Sequence, residues 1–190
     1  MGLVLASASP RRYQLLLAAG VPIHAVLPSQ IPEEAHPGEA PIPFARRIAR
    51  EKARAVHAPG QWVLAADTVV YLEGRIMGKP CDDEDARAML SRLAGRWHRV
   101  TTAWSLVPPD AAPGFRGGTA HRTSRVLFRP LSPADVARYV AHGEGRDKAG
   151  AYAIQGEGMA LVERVVGSYT NVIGLPVAPV LQWLVRAGLC

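Results

Sequence analysis

Residues 62–72 read Trp62-Val-Leu-Ala-Ala-Asp67-Thr68-Val-Val-Tyr-Leu72, a nearly continuous apolar run broken by one carboxylate and one hydroxyl. Such a run, without the alternation of a half-solvated strand, marks a strand buried on both faces. Glu73-Gly74 follows as a turn, so the stretch predicts a central strand opening into a hairpin. Asp67 is the anomaly. A carboxylate placed there has to be salt-bridged, metal-bound or catalytic, because burying an isolated charge costs several kcal/mol.

Outward from this strand, the pattern alternates between strand and helix signals. Gly2–Ala6 reads as a short buried strand, and Ser9-Pro10 supplies an N-cap and a first-turn proline for a helix to Ala19, stopped by Gly20. Residues 23–27 predict a strand, 28–43 a Pro-rich acidic loop, and 44–56 a helix. Asp82-Asp83-Glu84-Asp85 opens another helix with negative charge at its positive end, closed by Gly95. Strands are expected over 99–106 and 119–128, joined by a surface loop over 108–118. Ser132-Pro-Ala-Asp135 resembles a capping box, and its helix ends near Gly143. Further strands are expected at 151–154 and 159–166, with a terminal helix over 177–187. Intermixed strands and helices with a hairpin predict an α/β fold with a mixed central β-sheet flanked by helices, in a single domain spanning 1–190.

The chain has 190 residues, 22 of them basic and 16 acidic, for a net charge of +6, and is 48% hydrophobic. That composition fits a globular domain with a substantial core and excludes disorder. The apolar runs are too short to span a membrane, which takes roughly 20 residues. The start of the chain lacks a charged leader, and Cys81 and Cys190 form no metal or disulfide pattern, so a reducing cytoplasm is expected. A pI of about 9.8 raises a basic nucleic-acid-binding or regulatory protein as an alternative. Against it stand an aromatic content of only 6% and the lack of any recognition motif.

The basic residues are mostly Arg; the lysines are Lys52, Lys79 and Lys148. On a helical wheel over 44–56, Phe44, Ala45, Ile48, Ala49, Ala55 and Val56 form one arc, and Lys52 lies in its middle. An ammonium in the centre of an apolar stripe needs a partner or a polar cavity, which makes Lys52 a functional candidate. Ser7-Ala8-Ser9-Pro10-Arg11-Arg12 falls at a strand-to-helix junction, where free N–H groups, hydroxyls and guanidiniums suit phosphate oxygens. Gly78-Lys79-Pro80 is not a Walker loop but holds a lysine on stiff backbone. Glu33 and Glu34 offer oxygen ligands for Mg²⁺, Gln155 offers a donor and an acceptor to a base edge, and Asp147-Lys148 reads as an internal ion pair.

Together, LASASPRR (5–12), AREKARAV (49–56), AADTVV (65–70), GKP (78–80), LSRLAGRWHRVTT (90–102), DKAGAYAIQG (147–156) and GSYTNVIGLP (167–176) resemble the Maf family of nucleoside triphosphate pyrophosphatases. The resemblance implies a two-lobed fold like that of inosine triphosphate pyrophosphatases, with a central nucleotide cleft. It implies hydrolysis of a nucleoside triphosphate to the monophosphate and pyrophosphate with a divalent metal, Mg²⁺ or Mn²⁺. Asp67 stands at the family's proton-acceptor position. Ser7, Ser9, Arg11, Arg12, Lys52 and Lys79 become phosphate contacts, and Glu34 with Asp67 the metal carboxylates. Arg12, Thr68 and Gln155 match the subgroup acting on dTTP and UTP, whereas a 7-methyl-GTP subgroup differs around Asp67. A cytoplasmic enzyme is implied, with a homodimer as the family expectation and neither membrane nor specific nucleic-acid partners.

Overall fold

The computed structural model describes residues 1–56, 58–109 and 114–190. A seven-stranded mixed sheet runs through it, with strands β1 (Leu3–Leu5), β2 (Ile23–Val26), β3 (Trp62–Leu72), β4 (Arg75–Met77), β5 (Trp97–Val107), β6 (Gly118–Phe128) and β7 (Val162–Val166). The order is β2-β1-β3-β5-β6-β7, with β4 paired to β3 beside it. β1 lies parallel to β2 and β3, and every other pairing is antiparallel. Helices α1 (Pro10–Ala18), α2 (Pro41–Ala55), α3 (Asp83–Leu93), α4 (Pro133–His142), α5 (Tyr169–Ile173) and α6 (Val177–Arg186) cover it.

The pairing of β3 creates the cleft. One edge is bonded to β5 from Val63 to Tyr71. The other edge pairs with β1 through Trp62–Leu64 and with β4 through Val70–Leu72. Between those partners, around Asp67 and Thr68, that edge carries no strand among the described residues. The gap also separates two apolar clusters. Leu64, Ala66, Trp104 and Leu106 pack with Leu16, Val180 and Leu184 on one side, and Val70, Leu72, Val100 and Phe128 with Leu90, Leu93, Val136 and Val140 on the other. These are the two lobes, and β3 passes through both.

Side chains alternate across a strand, and β3 uses that alternation. Val69 and Tyr71 meet Phe44, Ala45, Ile48 and Ala49 of α2, while Val63 and Ala65 meet Ala53. Asp67 shares their parity and points to α2, and Thr68 points to the opposite face.

The mixed-sheet expectation holds, and most boundaries fall within a few residues of those expected. Helix α2 begins at Pro41, earlier than expected, because Pro41 and Pro43 occupy first-turn positions whose N–H groups have no helical partner in any case. The strand expected at 151–154 is absent. Ala149–Ala151 is a 3-10 turn, with Gly150 and Ala151 at positive φ, and Ala153 N–H donates to Tyr139 Oη (3.0 Å) where a ladder bond would be. A second 3-10 turn covers Gly156–Ala160, so β7 starts at Val162. Helix α5 was not expected; the Ser168 hydroxyl caps it by accepting from Asn171 N–H (3.2 Å). The capping box of α4 forms with both of its bonds. Of the loop expected at 108–118, residues 110–113 lie outside the described residues.

Candidate active site

The gap in β3 opens into a cavity of about 440 Å³, lined by the β1–α1 turn, the acidic loop, α2, β3, Lys79, residues 147–149 and 152–154, and residues 172–174. Ser7, Ser9, Arg11, Arg12, Lys52, Asp67, Thr68 and Lys79 all line it. Segments from both ends of the chain thus meet at one point, as in the Arg12–Gly174 contact.

At its centre, Lys52 Nζ lies 2.8 Å from Asp67 Oδ1 and 2.8 Å from Glu33 Oε2. Lys52 and Asp67 are 7% and 6% exposed. The helix face that carries Lys52 is buried because Phe44, Ile48 and Ala49 pack on β3, and that packing leaves the ammonium no route to solvent except the cleft. One of its three protons is donated to Asp67, and Glu33 pairs with the same ammonium by charge. Asp67 Oδ2 makes no hydrogen bond among the described residues, so a lone-pair-bearing oxygen stays available beside the cavity.

The β1–α1 turn supplies the cations. Ser9 occupies the N-cap position of α1, but its hydroxyl makes no cap bond; its N–H donates instead to Ser7 Oγ (3.2 Å). Arg12 is tethered through all three nitrogens: Nε to Gly174 O (2.9 Å), Nη1 to Ser7 Oγ (3.0 Å) and Nη2 to Thr68 Oγ1 (3.2 Å). A guanidinium has five N–H donors, and Arg12 keeps the other two. Burial pulls its pKa below the ordinary value, opposed by the nearby Asp67 and Glu33 carboxylates. Arg11 is likewise lowered by burial, with Asp147 and Glu144 opposing. Lys79 stands exposed at the mouth, on a segment whose Gly78 carbonyl accepts from Gly150 N–H (3.0 Å).

The proton order behind Arg12 is fully determined. The Thr102 hydroxyl donates to Asn171 O (2.8 Å), so the Thr68 hydroxyl, 2.9 Å from Thr102 Oγ1, donates to Thr102 and accepts from Arg12. Asn171, with no solvent exposure, accepts from Thr102 N–H (3.1 Å) and donates to Val100 O (3.0 Å) and Ser124 Oγ (3.1 Å). This buried chain locks the wall at 172–174 to β5 and β6.

Two expected residues lie elsewhere. Glu34 is exposed and outside the cavity lining, and it is Glu33 that faces Lys52. Arg47 Nη2 holds the Glu34 carbonyl at 2.9 Å, so Glu34 serves this loop through its main chain. Gln155 is exposed on the rim just beyond Ile154, the last lining residue of its segment. The Asp147–Lys148 ion pair forms as expected, yet both residues also line the cavity.

Sequence reasoning passed over Ser29, Tyr152 and the preference for Glu33. Ser29 sits in an irregular loop where no periodicity marks a facing side. Tyr152 is packed against His98, whose Nε2 is 2.7 Å from its hydroxyl. Burial pushes His98 down to about 4, so the imidazole is neutral at pH 7.

The donor set bears on a metal. Glu33 and Asp67 converge on one ammonium, and among the described residues no cluster of three or more His, Cys, Asp or Glu side chains is placed to hold an ion. Two carboxylates suit a hard dication that takes its remaining ligands from phosphates and water. The site has the elements of a polyanion-binding hydrolase: spaced cations, one buried carboxylate with a spare oxygen, and an uncharged pocket beyond.

Comparison with known proteins points the same way. A "dTTP/UTP pyrophosphatase" of Geobacter sulfurreducens is 48% identical over 98% of this chain and 96% of its own length. Another, from Thermus thermophilus, is 48% identical over 98% and 95%, and one from Anaeromyxobacter sp. is 51% identical over 98% and 89%. Among solved structures, a HAM1 protein from Coxiella burnetii superposes with a TM-score of 0.42 at 17% identity, over 67% of this chain and 73% of that one, too remote a likeness to bear on the site. The family model of Maf-like proteins matches residues 2–187, and the chain belongs to that family.

Proposed function

We infer that this chain is a nucleoside triphosphate pyrophosphatase that hydrolyses dTTP and UTP to the monophosphate and pyrophosphate, in the cytoplasm. The observation that carries this reading is the cleft core, in which Lys52 bridges Asp67 and Glu33 at 2.8 Å each beside Arg11, Arg12 and Lys79. The relatives' name supplies the substrate.

In this mechanism the triphosphate lies along the β1–α1 turn, with its oxygens on Ser7, Ser9 and the free donors of Arg11 and Arg12. Asp67 orients a water through Oδ2 and takes its proton as the water oxygen bonds to the α-phosphorus. The bond from that phosphorus to the bridging oxygen breaks, and pyrophosphate leaves with its new charge on Lys79 and Arg11. Lys52 holds Asp67 in place by donating to Oδ1. Phosphoryl-type transfer needs positioning and charge stabilisation more than covalent participation, and these residues supply both. Glu33 and Asp67 would hold the divalent metal, which when bound supplies Lewis-acid polarisation of the phosphates.

Selection of pyrimidine nucleotides is assigned to Arg12 and Thr68, whose mutual bond is fixed from behind by Thr102, and to Gln155 on the rim. A panel of nucleoside triphosphates with pyrophosphate detection tests the reading: dTTP and UTP are expected to exceed ATP, GTP and 7-methyl-GTP. Release of orthophosphate without pyrophosphate, or a preference for purines, would contradict it.

A further inference from the structure

The charged side chains of the cleft are the cations Arg11, Arg12, Lys52, Lys79 and Lys148 and the carboxylates Glu33, Asp67 and Asp147; the end formed by residues 152–154 and 172–174 carries none. Tyr152 and Ile154 there share one apolar cluster with Val70, Val100, Val172 and Ile173. An uncharged base fits that end. Among the described residues no strand ladder holds 152–154, so other contacts fix them.

What fixes them is Glu144, just past α4. Its Oε1 accepts from Glu157 N–H (3.3 Å), and its Oε2 accepts from Gly158 N–H (2.9 Å) and from the Tyr139 hydroxyl (3.0 Å). Tyr139 Oη in turn accepts from Ala153 N–H (3.0 Å). One carboxylate and one phenol therefore hold the segment at 153, 157 and 158, from behind the cavity. The glycines show how tight the wrap is. A Cβ at Gly156 would collide with Glu144 Oε1, one at Gly158 with Ala153 O, and one at Gly145 with Ala151 O. The glycine-rich sequence of this segment is a consequence of that close approach.

We propose that Glu144, through Tyr139, is the positioning residue for the base-side wall Tyr152–Ile154 and for Gln155 beyond it, and so sets affinity for the nucleoside without touching it. The inference rests on the pyrimidine reading above for which base is bound. Glu144 also lies near Arg11, and a role through that charge would act on phosphates instead. The two roles separate experimentally, since a Gln at 144 keeps an acceptor for the latch and discards the charge.

The test measures dissociation constants of UMP and of imidodiphosphate by calorimetry, with the thermal midpoint of each protein. Glu144→Ala is expected to weaken UMP about tenfold, the worth of about one buried backbone hydrogen bond to a charged acceptor, and to change imidodiphosphate less than about twofold. Glu144→Gln should recover UMP to within about threefold of wild type, since one oxygen can still accept from Gly158 and Tyr139. Tyr139→Phe, which keeps the packing, should cost about threefold on UMP, and it decides the matter if Glu144→Ala fails to fold. Equal losses for both ligands, or unchanged UMP affinity in Glu144→Ala and Tyr139→Phe, would overturn the proposal. Pyrophosphate release from UTP by wild type is recorded alongside. Its absence would count against the assigned reaction, while the UMP and imidodiphosphate affinities would still decide the latch.

Discussion

Helix α2 carries two cations five positions apart, and each bridges two carboxylates. Lys52 joins Asp67 and Glu33; Arg47 joins Glu39, at 2.6 Å, and Glu51, at 3.2 Å. The difference lies in what remains unused. Arg47 donates to both oxygens of Glu39 through Nε (2.8 Å) and Nη2 (2.6 Å), to Glu51 through Nη1, and to the Glu34 carbonyl through Nη2 as well. That guanidinium ties the acidic loop to the helix. Lys52, by contrast, keeps a proton, and Asp67 keeps an oxygen, both beside a cavity. One triad is architecture and the other has spare valence for chemistry. The first also serves the second, because the loop that Arg47 holds is the one that brings Glu33 to Lys52.

The largest effect that would sharpen this contrast comes from Lys52→Met. It removes the ammonium that holds Asp67 and leaves two carboxylates facing each other without it, so kcat/KM for UTP should fall about 10³-fold and the thermal midpoint should drop as well. Steady-state pyrophosphate release and calorimetry check both. Arg12→Lys comes next. An ammonium cannot replace a fork that reaches Gly174 O, Ser7 Oγ and Thr68 Oγ1 together, and a rise in KM for dTTP and UTP of about tenfold or more is expected. Wild-type KM in Arg12→Lys would break the tether.

Arg47→Met should cost stability as Lys52→Met does, but spare catalysis. Loss of the bidentate pair is expected to lower the thermal midpoint by about 5 °C while kcat at 25 °C stays within about threefold of wild type. A collapse of kcat in a folded Arg47→Met protein would erase the division between the triads.

The smallest effects are in pH. The Arg47 guanidinium, bonded to Glu39, holds that carboxyl down to about 2. Unfolded, it takes a proton near about 4.3, so the pair's stabilisation is complete above that pH and is lost as pH falls toward 2. His98 shifts for another reason, burial, to about 4. The unfolded imidazole binds its proton near about 6.5, so stability also falls between 6.5 and 4. Thermal unfolding followed from pH 7 to pH 3 should show both declines, and Glu39→Gln should shrink the lower one only, since Asp135 and Asp82 are also held low.

The same contrast explains what could be seen in the sequence. Lys52 was legible because a wheel shows an ammonium in an apolar stripe, and Asp67 because it breaks a strand buried on both faces. Both signals are periodic, and periodicity survives without coordinates. Glu33 was not legible over Glu34, since in an irregular loop only the grip of Arg47 on the Glu34 carbonyl decides which neighbour faces the cleft. The strand expected at 151–154 failed for a related reason. Its alternating apolar residues are real, but Ala153 spends its N–H on Tyr139 and the glycines serve Glu144. The gap on β3 was equally hidden, because strand order is a long-range property. Once β1 and β4 share an edge, Asp67 and Thr68 become accessible on opposite faces of one strand.

The most direct test is pyrophosphate release from UTP by Asp67→Asn and Glu39→Gln, assayed side by side at 25 °C. Each change neutralises one acceptor and leaves its cation a second carboxylate, Glu33 for Lys52 and Glu51 for Arg47. Asp67→Asn is expected to lose about 10³-fold in kcat with its fold intact, and Glu39→Gln to retain kcat within about twofold. An Asp67→Asn protein that keeps most of the wild-type rate would contradict the assignment of Asp67 as the base.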